Sequence, residues 1–117
     1  MRLHQAMLFV VDLEGMAAFY KDVIGFTPID ETRSADWAEF DTGGARLALH
    51  AIPKDIGVTA SPTPRETQSC KLLLTVDDLA ATRERLAAAG VTILERPWGG
   101  WDIADPEGNV LGVVGRP

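Results

Sequence analysis

The chain carries one pattern twice. An apolar run, Gln5-Ala6-Met7-Leu8-Phe9-Val10-Val11, ends at Asp12-Leu13, and Lys71-Leu72-Leu73-Leu74-Thr75-Val76 ends at Asp77-Asp78-Leu79. Each run leads into an amphipathic helical pattern stopped by a glycine, Gly25 in the first half and Gly90 in the second. Each half then reaches a glycine turn, Asp41-Thr42-Gly43-Gly44 or Asp105-Pro106-Glu107-Gly108-Asn109, followed by an apolar strand. Self-similarity constrains architecture more tightly than any single motif. Two like halves predict two like modules, with a cleft between them as the natural place for a ligand.

The local signals fill in the elements. Leu3 to Val11 reads as a strand. Asp12 offers an N-cap oxygen, and Met16, Ala17, Tyr20, Val23 and Ile24 form one apolar helical stripe. Pro28 to Asp36, Trp37 to Asp41 and Arg46 to Ile52 read as three further strands, with Leu47 and Leu49 on one face of the last and Ala48 and His50 on the other. Residues 53–69 hold Pro53, Gly57, Pro62 and Pro64 and read as an irregular link. In the second half, Cys70 to Val76 is a strand, Leu79 to Ala89 a helix capped by Asp77 or Asp78, and Val91 to Glu95 a strand. Trp98 to Ala104 is a strand interrupted near Gly99-Gly100, and Val110 to Val114 closes the chain. The expected fold is therefore α+β: two β-α-β-β-β modules, 1–52 and 70–117, joined by the 53–69 link.

Composition removes several function classes. The net charge of -6 leaves no basic face for nucleic acid, and no apolar run approaches the ~18 residues that span a membrane. Met1 runs directly into the first strand, so no signal peptide is expected, and the lone Cys70 has no internal disulfide partner, which suits a reducing cytoplasm. Cys70 itself reads as a buried, inert thiol.

The runs Val11-Asp12-Leu13-Glu14, Phe19-Tyr20-Lys21-Asp22-Val23-Ile24-Gly25-Phe26, Val76-Asp77-Asp78-Leu79 and Asp105-Pro106-Glu107-Gly108-Asn109 resemble the vicinal oxygen chelate superfamily, which includes glyoxalase I, extradiol dioxygenases and bleomycin-resistance proteins. The resemblance covers nearly the whole chain. It implies two modules whose sheets curl around an open cleft, often completed as a homodimer. In the family's metal enzymes it also implies ligands on the first and last strand of each module. Those four positions here are Gln5, Ala48, Lys71 and Gly112. Alanine and glycine bring no donor atom, and a protonated lysine has no lone pair. A displaced metal would need Gln5 and His50 plus a third ligand such as Glu39 or Asp102.

The expected reading is thus a protein with no metal, no cofactor and no catalytic residue, sequestering an aromatic or cationic small molecule in the manner of bleomycin-resistance proteins. Its candidate ligand-binding residues are Gln5, Met7, Trp37, Ala48, His50, Lys71, Leu73, Trp98, Trp101, Gly112 and Val114. Trp98 and Trp101 offer flat stacking surfaces beside Gly99 and Gly100, whereas Trp37 also suits the core. Lys71 either contacts an anionic or carbonyl group of a ligand or makes a salt bridge to Glu39 or Asp41. The rivals are a glyoxalase-like lyase, isomerase or dioxygenase using Gln5 and His50 or Lys71, and a non-catalytic structural dimer.

Overall fold

The computed structural model describes residues 1–53, 56 and 60–116. It divides into two compact units, Met1–Ala60 and Ser61–Pro117. In the first unit, β1 (Gln5–Val10) leads into α1 (Leu13–Ala18) and a π-helical turn over Phe19–Ile24. Then come β2 (Thr27–Pro28), a 3-10 turn over Asp30–Thr32, β3 (Trp37–Asp41) and β4 (Arg46–Ala51). The second unit runs β5 (Leu72–Val76), α2 (Leu79–Ala88), β6 (Ile93–Glu95), β7 (Trp101–Ala104) and β8 (Val110–Gly115).

The two sheets have one topology, β1-β4-β3-β2 and β5-β8-β7-β6. The first and last strands of each unit pair in parallel, and the other neighbours are antiparallel. The expected doubled β-α-β-β-β pattern is what forms. A parallel pair needs a long crossover, and in each unit the helix and the two intervening strands supply it.

The caps match the sequence. Asp12 Oδ1 accepts a hydrogen bond from Gly15 N at 3.0 Å, and Asp78 Oδ1 accepts one from Ala81 N at 2.9 Å. Each satisfies a backbone donor that the first helical turn leaves without a partner. The helix after Asp12 departs from the expected stripe. Gly25 N and Phe26 N both donate to Tyr20 O, at 3.1 and 2.9 Å, so the last turn widens. The inward residues become Leu13, Met16, Phe19 and Tyr20, while Ala17, Val23 and Ile24 are only half-buried. Beneath them lie Val10, Ala38, Phe40, Leu47 and Leu49, all at most 3 % exposed.

Three strand expectations need correction. The strand expected over Pro28 to Asp36 stops at Pro28. Arg33 N donates to Asp30 O and the Thr32 hydroxyl to Ile29 O, so local bonds compete successfully with the ladder there. The strand expected from Trp98 starts at Trp101, because Gly99 N turns back to Arg96 O at 3.0 Å with Gly99 at φ +93°. Only glycine adopts that backbone cheaply. Cys70 precedes β5 and is exposed, not buried.

The link expected over 53–69 is only partly described: residues 54, 55 and 57–59 lie outside the described set. Its second half docks on the second unit. Ser61 N donates to Glu107 O, Arg65 N to Gly108 O and the Gln68 amide to Val110 O. The turn it rests on is tied by Asp105, whose Oδ1 accepts from Glu107 N and Asn109 N while Oδ2 accepts from the Asn109 amide. The Asp-Pro-Glu-Gly-Asn motif is therefore a folding device. Gly108 sits at φ +89°, and a Cβ there would stand 2.8 Å from Thr63 O and 3.0 Å from Ser61 O. Gly108→Ala is expected to cost about 1–2 kcal/mol in urea unfolding, from the strained φ and the displaced 61–65 segment. An unchanged midpoint would show that this segment yields freely.

Candidate functional site

Each sheet has a helix-covered face and an open one. Strand alternation puts Gln5, Met7 and Phe9 of β1 on the open face of the first sheet. The register adds Arg46, Ala48 and His50 of β4 and Trp37 and Glu39 of β3. Met7 is 42 % and Phe9 46 % exposed, although both are large and apolar. The opposite residues, Val10, Leu47, Leu49, Ala38 and Phe40, are the core just described.

At the centre of this face lies a buried carboxylate. Glu39 accepts from Trp37 Nε1 at 2.8 Å and from Arg46 at 3.1 Å. The tryptophan hydrogen bond above all, aided by Arg46 and against the cost of burial, holds its carboxyl below the ordinary glutamate range. Beside it His50 forms an aromatic group with Phe9 and Trp37, ring centres 6.0 and 5.6 Å away. Asp36 stands 4.0 Å from His50 Nε2.

The second sheet has a matching arrangement. Asp102, 4 % exposed, lies on β7 opposite Gly112 of β8, as Glu39 lies opposite Ala48. Its Oδ2 accepts from Lys71 Nζ at 2.8 Å and from Arg96 Nε at 2.7 Å. Burial opposes the charge on Asp102, but the bonds from Lys71 and Arg96 outweigh it and keep the carboxyl below the ordinary aspartate range. Arg96 is raised in turn, first by that bond to Asp102, and also bonds Glu66 at 2.9 Å. Trp98 closes the group, with Lys71 Nζ 5.8 Å and Arg96 Cζ 5.9 Å from its ring centre.

Gly112 has a physical reason. Lys71 precedes β5 and Asp102 is on β7, so the lysine must cross β8. It crosses at Gly112, where a Cβ would stand 3.2 Å from Lys71 Cε, 3.4 Å from Asp102 Oδ1 and against Leu73 Cδ2. The absent side chain makes room for the ion pair. The expected salt bridge of Lys71 to Glu39 or Asp41 is thus corrected to Asp102.

The sequence-expected residues separate cleanly. Gln5, Met7, Trp37, Ala48 and His50 share the open face of the first unit. Lys71, Leu73, Trp98, Gly112 and Val114 gather on that of the second. Trp101 does not join them. It neighbours Asp102 on a strand and so faces the other way, 7 % exposed, with Arg83 of α2 5.7 Å from its ring centre. Phe9 and Arg96 were missed. Alternation after Gln5 and Met7 could have found Phe9, but no sequence signal marks a loop arginine as a partner of Asp102. A depression of about 280 Å³ in the first unit lies beside Ala17, Lys21, Ile29 and Arg33 and reaches Ala38, Glu39 and Phe40 of β3.

The donor set does not suit a metal ion. Among the described residues no three His, Cys, Asp or Glu side chains converge on one point. Gln5 pairs with Arg46 and His50 with Phe9, so the two candidate donors stand four strand residues apart, about 13 Å by strand rise. Side chains rising from one sheet face stay near that separation, too far to share bonds of about 2 Å. No helix among the described residues is long and apolar enough to cross a membrane.

Comparison with solved structures finds the same fold repeatedly. A glyoxalase/bleomycin resistance protein/dioxygenase family enzyme from Burkholderia phytofirmans PsJN superposes with TM-score 0.74 at 24% identity, covering 97% of each chain. A glyoxalase-related enzyme from Fulvimarina pelagi gives 0.69 at 28% identity, over 99% of this chain and 88% of that one. TnmS3, an antibiotic binding protein from Streptomyces sp. CB03234, gives 0.70 at 24% identity, over 100% and 97%. The family model for the Glyoxalase/Bleomycin resistance protein/Dioxygenase superfamily matches residues 2–113. With the doubled fold and a match over nearly its whole length, the chain belongs to the glyoxalase/bleomycin resistance protein/dioxygenase superfamily.

Proposed function

We propose that this protein binds and sequesters an aromatic small molecule on the open sheet faces without using a metal ion. The observation that carries the reading is the placement of Lys71. At a position where the family resemblance implies a metal ligand, its ammonium lies across Gly112 and bonds Asp102. A cation held there repels a second cation and offers it no lone pair. The remaining positions, Gln5, Ala48 and Gly112, supply one weak donor between them.

What the faces offer instead is stacking surface. Trp98 is 72 % exposed and Met7, Leu73 and Val114 at least 40 %, an apolar display that suits a bound ligand. TnmS3, of similar fold, is an antibiotic binding protein, which makes ligand binding a reasonable use of the scaffold.

The test is titration of the purified chain with a panel of planar aromatic compounds, followed by tryptophan fluorescence, before and after exposure to nickel, zinc, manganese and iron(II). Saturable quenching that is independent of metal and weakened about tenfold by Trp98→Ala is the expected result. Stoichiometric metal retention lost on Gln5→Ala would instead make the protein a metalloenzyme.

A further inference from the structure

Resting on the small-molecule reading, we propose that the open face of the first unit is a seat for a cationic group of the tertiary or quaternary ammonium class. The seat is the Phe9, His50 and Trp37 group. The ring planes of Phe9 and His50 meet at 42° and those of Trp37 and His50 at 65°, so the rings form inclined walls instead of a closed stack. Phe9 stands 46 % exposed on an edge strand, leaving its ring open to a ligand. An aromatic face carries negative potential and attracts cations, and weakly hydrated ammonium groups lose least on leaving water.

The charges around the rings favour the same ligand. Asp36 borders His50, and Trp37 donates its indole N–H to the Glu39 carboxylate. Donation to an anion polarises the indole and enriches its face in electrons. The cations nearby are already engaged. Arg46 bonds Glu39, and Arg33 reaches the Trp37 carbonyl oxygen and Glu14, not the ring.

The duplicated architecture supplies an internal comparison. In the second unit the open-face aromatic, Trp98, has two of the protein's own cations near its ring, Lys71 and Arg96. In the first unit, among the described residues, no cation stands over Phe9 or Trp37. The second unit meets the preference of its aromatic internally, and the first leaves that preference to a ligand.

The experiment compares choline with its neutral carbon isostere, 3,3-dimethylbutan-1-ol, titrated into the full chain and followed by NMR of the Trp37 indole N–H and the Phe9 ring. Choline is expected to bind about fivefold more tightly or better, shifting both signals, and Phe9→Leu, which keeps apolar bulk, should erase the difference. Equal affinities, no binding of either compound, or a preference that survives Phe9→Leu would overturn the seat. Planar aromatic compounds that still quench Trp98 in that case would leave the sequestration reading standing. If they too fail to bind, both readings fall.

Discussion

Phe40→Ala is expected to lower the unfolding free energy by about 3–5 kcal/mol, the range for deleting a buried phenyl ring and leaving a cavity. Phe40 is 1 % exposed in the middle of β3. Its ring centre lies 6.4 Å from that of Tyr20, which in turn meets Phe19 edge-on at 5.2 Å and stacks on Phe26 at 6.3 Å. The backbone on both sides is fixed by Pro28 and Leu47, so the cavity has little means of collapse. With total stability on the order of 5–15 kcal/mol for a domain of this kind, one ring accounts for a large share. Urea unfolding followed by far-UV circular dichroism gives the number. A loss under about 1 kcal/mol would mean that this aromatic group is not the core of the first unit.

Asp102→Ala is expected to cost about 2–4 kcal/mol. It removes the acceptor of two charged hydrogen bonds and leaves the Arg96 Nε–H, on a side chain only 13% exposed, without a partner. Lys71 is 37% exposed and recovers water, which keeps the cost below that of a fully buried pair. The pH dependence separates this cause from simple loss of packing. The folded carboxyl titrates below its unfolded value of about 3.9, so its contribution is fully present above that value and is lost as pH falls through the folded pKa. The stability gap between the wild type and Asp102→Asn should therefore be flat from about pH 7 to 5 and close below about pH 4. A gap that stays constant into acid would assign the effect to shape alone. Glu39 adds a slope of the same sign on the first sheet, with the Trp37 hydrogen bond as its main source.

The two carboxylates show how far the residues alone could be read. Glu39 and Asp102 were visible as acids inside apolar strands, both as spare metal ligands and Glu39 also as a salt-bridge partner for Lys71, a role that falls to Asp102. What they do is hold cations on the open faces, each opposite a residue with little or no side chain, Ala48 or Gly112. Cross-strand neighbours are set by register, which joins residues far apart in the chain. Lys71 and Asp102 meet only because β8 lies between β5 and β7 and is bare at Gly112. Trp98 and Trp101 teach the same lesson at short range. Residues three apart fall on opposite faces of a strand, and the tight turn at Gly99 also keeps Trp98 out of β7, so Asp102 takes the open side beside Trp101 while Trp98 stands exposed in the turn.

The sequence by itself determined the doubled β-α-β-β-β order, the Asp12 cap, the family and the absence of ligand-type side chains at Ala48, Lys71 and Gly112. Each of these is carried by residue type or by local periodicity, which the chain displays without folding. The choice of Asp78 over Asp77 as the second cap came from the structure. The tertiary structure alone decided which tryptophan reaches solvent, that Phe9 joins His50 and Trp37, and that Lys71 spends its charge on Asp102. Those outcomes depend on strand phase and non-local register, where a shift of one residue turns every side chain to the opposite face.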